Sequence, residues 1–270
     1  MRRGENDPPV STIPAELHRN LAALLVEAQA ARRPIDPPGA FATLPLTAAY
    51  AVQDALVAER ESAGATRNGW KLGITSPVKQ RVMGIAHPLF GRTFADGERT
   101  NGSRVDLAAF IAPRTEPELA IGLAAEIDPS MDRAALAQAV AWIAPALEIT
   151  DSRYRSGTRS AVELVADNTS SSGYVIGPRL SAGAAPPYDA LATELVKNGS
   201  VVLRGSTADV LDHPLNALAA LAAHLAERGL RARAGDVILS GAITDAIPIA
   251  AGDTIEARIA GLGSATIAFF

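Results

Sequence analysis

Glu116 and Glu118, separated by a single proline in Arg114-Thr-Glu-Pro-Glu-Leu-Ala-Ile-Gly-Leu123, are the residues whose type and spacing point most directly to chemistry. In a strand, side chains alternate with period two, so both carboxylates would project from one face, about 7 Å apart along the chain. The alternation supports a strand: Pro117, Leu119, Ile121 and Leu123 share one face, and Glu116, Glu118, Ala120 and Gly122 the other. A third acid repeats the pattern in Ala146-Leu-Glu-Ile-Thr150, where Glu148 lies between small neighbours while Leu147 and Ile149 face the opposite way. Three carboxylates on short strands suit a hard divalent cation with oxygen ligands. Their summed charge of about −3 against +2 leaves coordination positions for water or substrate, which favours Mg²⁺ or Mn²⁺ over a closed structural site. The chain has no cysteine, and its four histidines show no paired spacing, so a zinc cage is not expected. The competing reading of a lone Glu-x-Glu is a solvated edge strand.

Lys71 shows the same two-faced arrangement in Gly69-Trp-Lys-Leu-Gly-Ile-Thr-Ser76, with Trp70, Leu72 and Ile74 on one side and Lys71, Gly73 and Thr75 on the other. A lysine flanked by small residues can approach a ligand closely. Its ammonium could stabilise a developing enolate, or, with a lowered pKa, move a proton. The alternative is a lysine snorkelling from a sheet edge. In Val165-Ala-Asp-Asn-Thr-Ser-Ser-Ser-Gly173, hydroxyls and backbone N–H groups behind Asp167 and Asn168 could face a carboxylate, or the two residues could simply close an Asx-turn. Asp96, in Phe94-Ala-Asp-Gly97, reads as a turn residue, and no Gly-x-Ser-x-Gly elbow supports a serine nucleophile.

The elements that would position these groups divide into two textures. Residues 14 to 31 read as an amphipathic helix with Pro14 in its first turn and Leu17, Leu21, Leu24, Leu25 and Ala28 as its stripe. A second helix is expected from Ala48 to Ser62, with Thr47 as N-cap. After Asn68-Gly69, read as a turn, short strand-like runs take over, giving a helical part over 1–68 and a β-rich part over 69–270. Two helices should interrupt the β-rich part: about 131 to 143 behind Ser130, and Pro214 to Arg228 behind Asp212 or His213. The last forty residues read as a meander. This α+β pattern lacks the regular βαβ alternation of a Rossmann fold or α/β barrel.

Apolar residues make up 48% of the 270, enough for a substantial core, yet no apolar run is long enough to span a membrane. The first nine residues contain no secretory h-region, so a cytoplasmic protein is expected. A net charge of −4 without a basic stripe gives no reason to expect nucleic acid.

Together these segments resemble the 2-oxopent-4-enoate (2-hydroxypentadienoate) hydratase family, which includes 2-oxo-3-hexenedioate decarboxylases and belongs to the fumarylacetoacetate hydrolase superfamily. The resemblance runs from about Leu46 to Phe270. It is carried by Ala49-Tyr-Ala-Val-Gln-Asp54, the Lys71 segment, the Glu116 and Glu118 strand, Pro145-Ala-Leu-Glu-Ile-Thr-Asp-Ser-Arg153, Val165-Ala-Asp-Asn-Thr-Ser170, His213-Pro-Leu-Asn-Ala217, Gly235-Asp-Val-Ile-Leu-Ser-Gly-Ala242 and Ala251-Gly-Asp253. It implies a mixed β-roll core with a small helical N-terminal part, and a homo-oligomer that can associate with another enzyme of its pathway. It further implies Mg²⁺ or Mn²⁺ on Glu116, Glu118 and Glu148, catalytic roles for Lys71 and Asp96, and substrate contacts from Gly73, Asn168 and Ser170. The implied reaction adds water at C4 of a 2-hydroxy-2,4-dienoate in aromatic-compound catabolism, giving a 4-hydroxy-2-oxo acid. The alternatives are decarboxylation of 2-oxo-3-hexenedioate, carbon–carbon bond hydrolysis, which would need a histidine–glutamate pair, and a non-catalytic partner subunit. The chain departs from the family pattern at Ser156-Gly-Thr158 and at Gly97, which follows Asp96.

Overall fold

The computed structural model describes residues 13–158 and 160–270, so the N-terminal residues read above for a secretory signal lie outside it. The first half of the chain forms α1 (Ala15–Ala31), α2 (Leu46–Ser62), β1 (Arg67–Gly73), α3 (Pro77–Met83), β2 (Leu89–Phe94), β3 (Glu98–Arg99), β4 (Arg104–Val105), β5 (Arg114–Leu123) and α4 (Arg133–Gln138). The second half forms β6 (Val140–Thr150), α5 (Ala161–Ala166), β7 (Ser171–Ile176), β8 (Leu180–Ser181), β9 (Ala192–Lys197), β10 (Ser200–Ser206), α6 (Pro214–Glu227), β11 (Val237–Leu239), β12 (Ile247–Pro248), β13 (Thr254–Ile259) and β14 (Gly263–Phe269).

The strands build two sheets. The larger runs β2-β1-β11-β5-β6-β7-β3, with β12 added to β5 and β8 to β6; the smaller runs β10-β9-β13-β14-β4. Parallel pairs (β1 with β11, β3 with β7) sit among antiparallel ones, the mixed α+β architecture expected. Leu147, Ile149 and Val175 of the larger sheet pack on Leu195, Ile255, Ile267 and Phe269 of the smaller, closing the roll. A second, larger core joins Leu21 and Leu25 of α1, Leu56 of α2 and Leu218 and Leu221 of α6 to Trp70, Leu72, Leu119 and Ile121 of the sheet.

Several boundaries differ from the sequence reading for identifiable reasons. Pro14 and Pro45 each stand just before a helix in extended backbone, so Thr47 lies inside α2 instead of capping it. In α1 the buried stripe is Leu21, Ala22, Leu25 and Ala28, while Leu24 stays exposed. Asp132, whose side chain accepts from Ala135 N, starts α4 in place of Ser130, and that helix ends at Gln138 because Val140-Ala-Trp-Ile143 belongs to β6. The helices α3 and α5, at seven and six residues, are too short to show a periodic stripe. His213 does cap α6, its Nδ1 accepting from Leu215 N at 3.0 Å. The C-terminal strands are not one meander: β11 and β12 join β5 in the larger sheet, whereas β13 and β14 pair in the smaller.

Asn68-Gly69 is not a turn but part of β1. Gly69 is required there by proximity, since a Cβ would lie 1.9 Å from the carbonyl oxygen of Val237 on the neighbouring β11. We therefore expect Gly69→Ala to separate β1 from β11 and to cost more than about 2 kcal/mol in urea unfolding. A loss within about 0.5 kcal/mol would show that the strands can part without penalty.

Candidate active site

Strand register brings the acids together. In the β5–β6 pair Glu116 stands directly opposite Glu148, and Glu118 is opposite Ala146, so the three share one face of two central strands. Ligand oxygens from Glu116, Glu118 and Glu148 lie within 4.8 Å of one another, the one such cluster found among the described residues. Glu118 and Glu148 are fully buried and Glu116 partly so, which removes the solvated-edge alternative. Around them the face is lined by Ala120, Ala144 and Ala146, leaving the space to the carboxylates.

Lys71 is brought in from β1. It is 2% exposed, and its Nζ lies 2.8 Å from Glu148 Oε2 and donates to the Thr169 carbonyl at 3.2 Å. It is not a surface lysine. Burial pushes its pKa down, but the charges of Glu148, Glu116 and Glu118 outweigh that and hold it above the ordinary lysine value. In the metal-free site these charges favour the ammonium form of Lys71.

The carboxylates behave in the opposite sense. Burial, followed by the charge of Glu148, raises Glu116 to about 7, and burial with the neighbouring acids raises Glu118 well above the usual range. Like charges facing each other across a strand pair are unfavourable, and one ammonium cannot neutralise three carboxylates. Two bound protons or one divalent cation would each supply the missing positive charge. The donor set fits such a cation on an observation internal to the site: Glu118 Oε1 and Glu148 Oε1 are buried without a hydrogen-bond partner, while Glu118 Oε2 accepts from Gly241 N at 2.8 Å. Hard oxygen donors with unused lone pairs suit Mg²⁺ or Mn²⁺.

The wall facing Lys71 is a left-handed turn. Asn168, Thr169 and Ser170 have φ of 49°, 51° and 57°, and each non-glycine residue in that region costs roughly 1–2 kcal/mol. Contacts on every side hold it. Asn168 Oδ1 accepts from Arg92 N at 2.7 Å and its Nδ2 donates to Arg92 O at 2.9 Å. Asp151 N donates to Ser170 O at 2.8 Å, and Asp167 is clamped by the buried guanidinium of Arg153. Burial lifts Asp167 to about 6 even though Arg153 opposes the rise. Gly91 makes the close approach possible, because a Cβ there would lie 2.3 Å from Thr169 Oγ1 and 2.8 Å from Asn168 O.

An inner cavity of about 160 Å³ is bounded by Lys71, Gly73, Ser76, Lys79, Glu116, Thr150, Thr169 and Ser170. A larger cavity of about 730 Å³ adjoins it, sharing Thr150 and Ser170. Gly73 and Ser170, two of the expected substrate contacts, are among the residues that line the inner cavity, with Ser170 Oγ donating to Asp167 Oδ2 at 3.2 Å. Asn168 is not: both ends of its amide are taken by the Arg92 backbone, so it braces the turn. Nor is Asp96, which is exposed beyond the end of β2, pairs with Arg60 at 2.9 Å, and borders a separate cavity lined by α1 and α2. Sequence reasoning assigned no site role to Gly241, whose N–H meets Glu118; to Lys79, whose charge acts on Glu116; or to the Arg153–Asp167 clamp, which forms only in three dimensions.

Residues 88–269 match the fumarylacetoacetate hydrolase C-terminal family. The chain belongs to that family. Among fumarylacetoacetate hydrolase relatives, it is 38% identical to a 2-keto-4-pentenoate hydratase of Burkholderia vietnamiensis over 93% of this chain and 96% of that one. It is 36% identical to a 4-oxalocrotonate decarboxylase of Pseudomonas putida over 82% and 84% of the two chains. Among solved structures, 4-oxalocrotonate decarboxylase from Pseudomonas putida G7, complexed with magnesium and adipate, superposes with a TM-score of 0.92 at 33% identity, covering 96% of this chain and 99% of that one. The same decarboxylase has also been solved with calcium and acetate. The β-roll core and the family resemblance expected from sequence are therefore found.

Two outcomes follow from this geometry. Glu116 keeps a proton in the folded, metal-free protein that the unfolded chain releases, so stability falls as pH rises from about 4.5 to about 7, and the deficit is complete above that window. Asp167 adds in the same sense between its ordinary 3.8 and about 6. Thermal unfolding of metal-free protein should show Tm lower by a few degrees at pH 7.5 than at pH 5, with Glu116→Gln flattening the decline; an unchanged slope in that variant would exclude Glu116 as its source. Gly91→Ala should displace the turn and cost about 2 kcal/mol or more, with turnover falling further than the loss of folded protein explains. Normal turnover by the folded fraction would show that the turn does not set the Lys71 position.

Proposed function

We propose that this chain is a metal-dependent lyase that adds water to a 2-hydroxy-2,4-dienoate to give a 4-hydroxy-2-oxo acid. The convergence of Glu116, Glu118 and Glu148 within 4.8 Å, with the Lys71 ammonium 2.8 Å from Glu148, carries the reading, and the similarity to hydratases supports it. Glu116, Glu118 and Glu148 would hold Mg²⁺ or Mn²⁺, which when bound supplies Lewis acidity towards the substrate's 1-carboxylate and 2-oxygen.

The chain's own groups define the remaining roles. Lys71, fixed between Glu148 and the Thr169 carbonyl, offers a buried positive charge to an oxygen that becomes negative as the dienol turns to the ketone. In that conversion the 2-hydroxyl proton is lost and C5 gains one; water then gives its oxygen to C4 and a hydrogen to C3. Ser170 and Thr150, at the junction of the two cavities, would orient the substrate on a turn that cannot drift, since misplacement by about 1 Å is costly. Carbon–carbon hydrolysis is disfavoured because no histidine is among the described residues that border the inner cavity: His213 caps α6, and His224 is stacked on Phe90.

Decarboxylation of 2-oxo-3-hexenedioate is the second reading, supported by the solved decarboxylase at TM-score 0.92. The same buried charge would serve the enolate left when CO₂ departs. We also propose a homo-oligomer working in the cytoplasm and associating with an enzyme of its pathway. The exposure of Val78 and Val82 on α3 supports a contact surface, and among the described residues no helix is long and apolar enough to cross a membrane.

Purified protein with Mg²⁺ or Mn²⁺ should consume freshly made 2-hydroxypenta-2,4-dienoate, read as loss of dienol absorbance with formation of the 4-hydroxy-2-oxo acid. CO₂ from 2-oxo-3-hexenedioate without hydration of the dienoate would replace the first reading by the second. Glu116→Gln should weaken metal affinity and turnover together, and Lys71→Met should lower kcat by about 100-fold or more while metal binding persists. Metal affinity unchanged in Glu116→Gln would remove that residue from the ligand set.

A further inference from the structure

We infer that Gln53 is a positioning residue for the active site: from α2 it fixes the spacing between β2 and the end of α5, and through that spacing the Thr169 carbonyl that receives Lys71. This rests on the proposed function, in which the Lys71 ammonium meets the developing negative charge. β2 is the terminal strand of the larger sheet, yet all six of its residues are buried, so the backbone groups on its free side cannot turn to water. Side chains take the place of a further strand there. The Phe90 N–H donates to Tyr50 Oη at 3.3 Å, and the Phe90 carbonyl accepts from Gln53 Nε2 at 2.8 Å. Two residues along, both backbone groups of Arg92 are held by Asn168, the first residue of the left-handed turn.

Gln53 also reaches beyond that edge. Its Nε2 donates at 3.0 Å to the carbonyl of Val165, in the last turn of α5, where a helix leaves carbonyls without an intrahelical partner. One fully buried amide therefore ties β2 to a residue four positions before Thr169. Its Oε1 accepts from Arg92 Nη1 at 3.4 Å, and that guanidinium lies 3.8 Å from the ring centroid of Trp70, the neighbour of Lys71 in β1. With both donors and the oxygen engaged, the side chain has a single orientation. Between the two bonded residues of β2 stands Gly91, where Thr169 packs too closely to admit a Cβ. Loss of the Gln53 donors leaves two buried carbonyls unsatisfied, and β2 and α5 then have reason to part. Their separation carries the Thr169 oxygen away from Lys71 Nζ, which is left to Glu148 alone.

Gln53→Met, similar in length but without donors, tests this in Mg²⁺-loaded protein. Turnover of 2-hydroxypenta-2,4-dienoate is expressed per Mg²⁺ site counted by calorimetry, so that loss of folded protein does not enter. In the variant kcat should fall at least about tenfold, with KM and Mg²⁺ affinity within about threefold of the unaltered protein. Tyr50→Phe, which removes the other α2 contact to Phe90, should keep kcat within about twofold. Gln53→Glu keeps the shape and the contact with Arg92 but, as a carboxylate, lacks both donors, and gives the same readings where Gln53→Met does not fold. Independently of turnover, acetylation of Lys71 by acetic anhydride, read by mass spectrometry against Lys197 of β9, should quicken at least about fivefold in the Gln53 variants. Unchanged kcat per site and unchanged labelling, or an equal loss of kcat in Tyr50→Phe, overturns the positioning role and leaves the proposed function standing. If the unaltered protein turns over neither the dienoate nor 2-oxo-3-hexenedioate while Lys71 labelling still responds to Gln53→Met, the proposed function falls and the placement of Lys71 by Gln53 stands.

Discussion

Glu116, Glu118 and Glu148 meet where burial limits screening by water, and the ammonium beside Glu148, Lys71, cannot balance all three. An isolated buried carboxylate is too costly to persist as an ion, so the site must acquire positive charge from protons or from a cation, or it must not form. Much of the surrounding architecture serves that condition. The acids stand on central strands whose backbone is fixed by neighbours on both sides, so they cannot swing out to solvent. Alanines flank them on the same face, and the Gly241 amide takes up one Glu118 oxygen, leaving the other oriented and unused.

The left-handed turn at 168–170 is the second half of the arrangement. Three successive non-glycine residues in this region persist only when their surroundings over-determine them, and here β2, Asp151 and the Arg153–Asp167 pair all hold the turn. Ile74, also at positive φ, lines the same cavity. Strain is concentrated on the walls that face Lys71, whereas the strands bearing the glutamates are regular. The acids depend on sheet register and the lysine's acceptor on a strained loop, so two unrelated structural devices converge on one ammonium.

Period-two alternation made the glutamate strands and the Lys71 strand legible from sequence, because a buried face stripped of bulk around charged residues is itself a pattern. The helix expected from Pro214 to Arg228 was legible from the helical period instead, and its Leu215, Leu218, Leu221 and Leu225 are all buried. Other features were hidden because their cause lies far along the chain. Asn68-Gly69 has turn composition, but its glycine is set by the approach of Val237. Asn168 looks like a ligand group, but its partners belong to Arg92, 76 positions away. Asp96 matched a family position while its surroundings, Arg60 and the α1–α2 side, place it elsewhere. Pairing of the last four strands was illegible because adjacency in sequence does not reveal which sheet a strand joins.

One of the two acceptors that fix Lys71 is the main-chain carbonyl of Thr169, the other being the side chain of Glu148. Replacing the residue at 169 leaves that oxygen in the chain, so the contact cannot be deleted by a single codon change at its own position. Drift can reach it only indirectly, through Gly91, Asn168 or the Arg153–Asp167 pair, each of which is tied to folding as well. This half of the lysine's placement is thereby shielded from substitution at 169 itself, because the oxygen that receives it is common to every residue type.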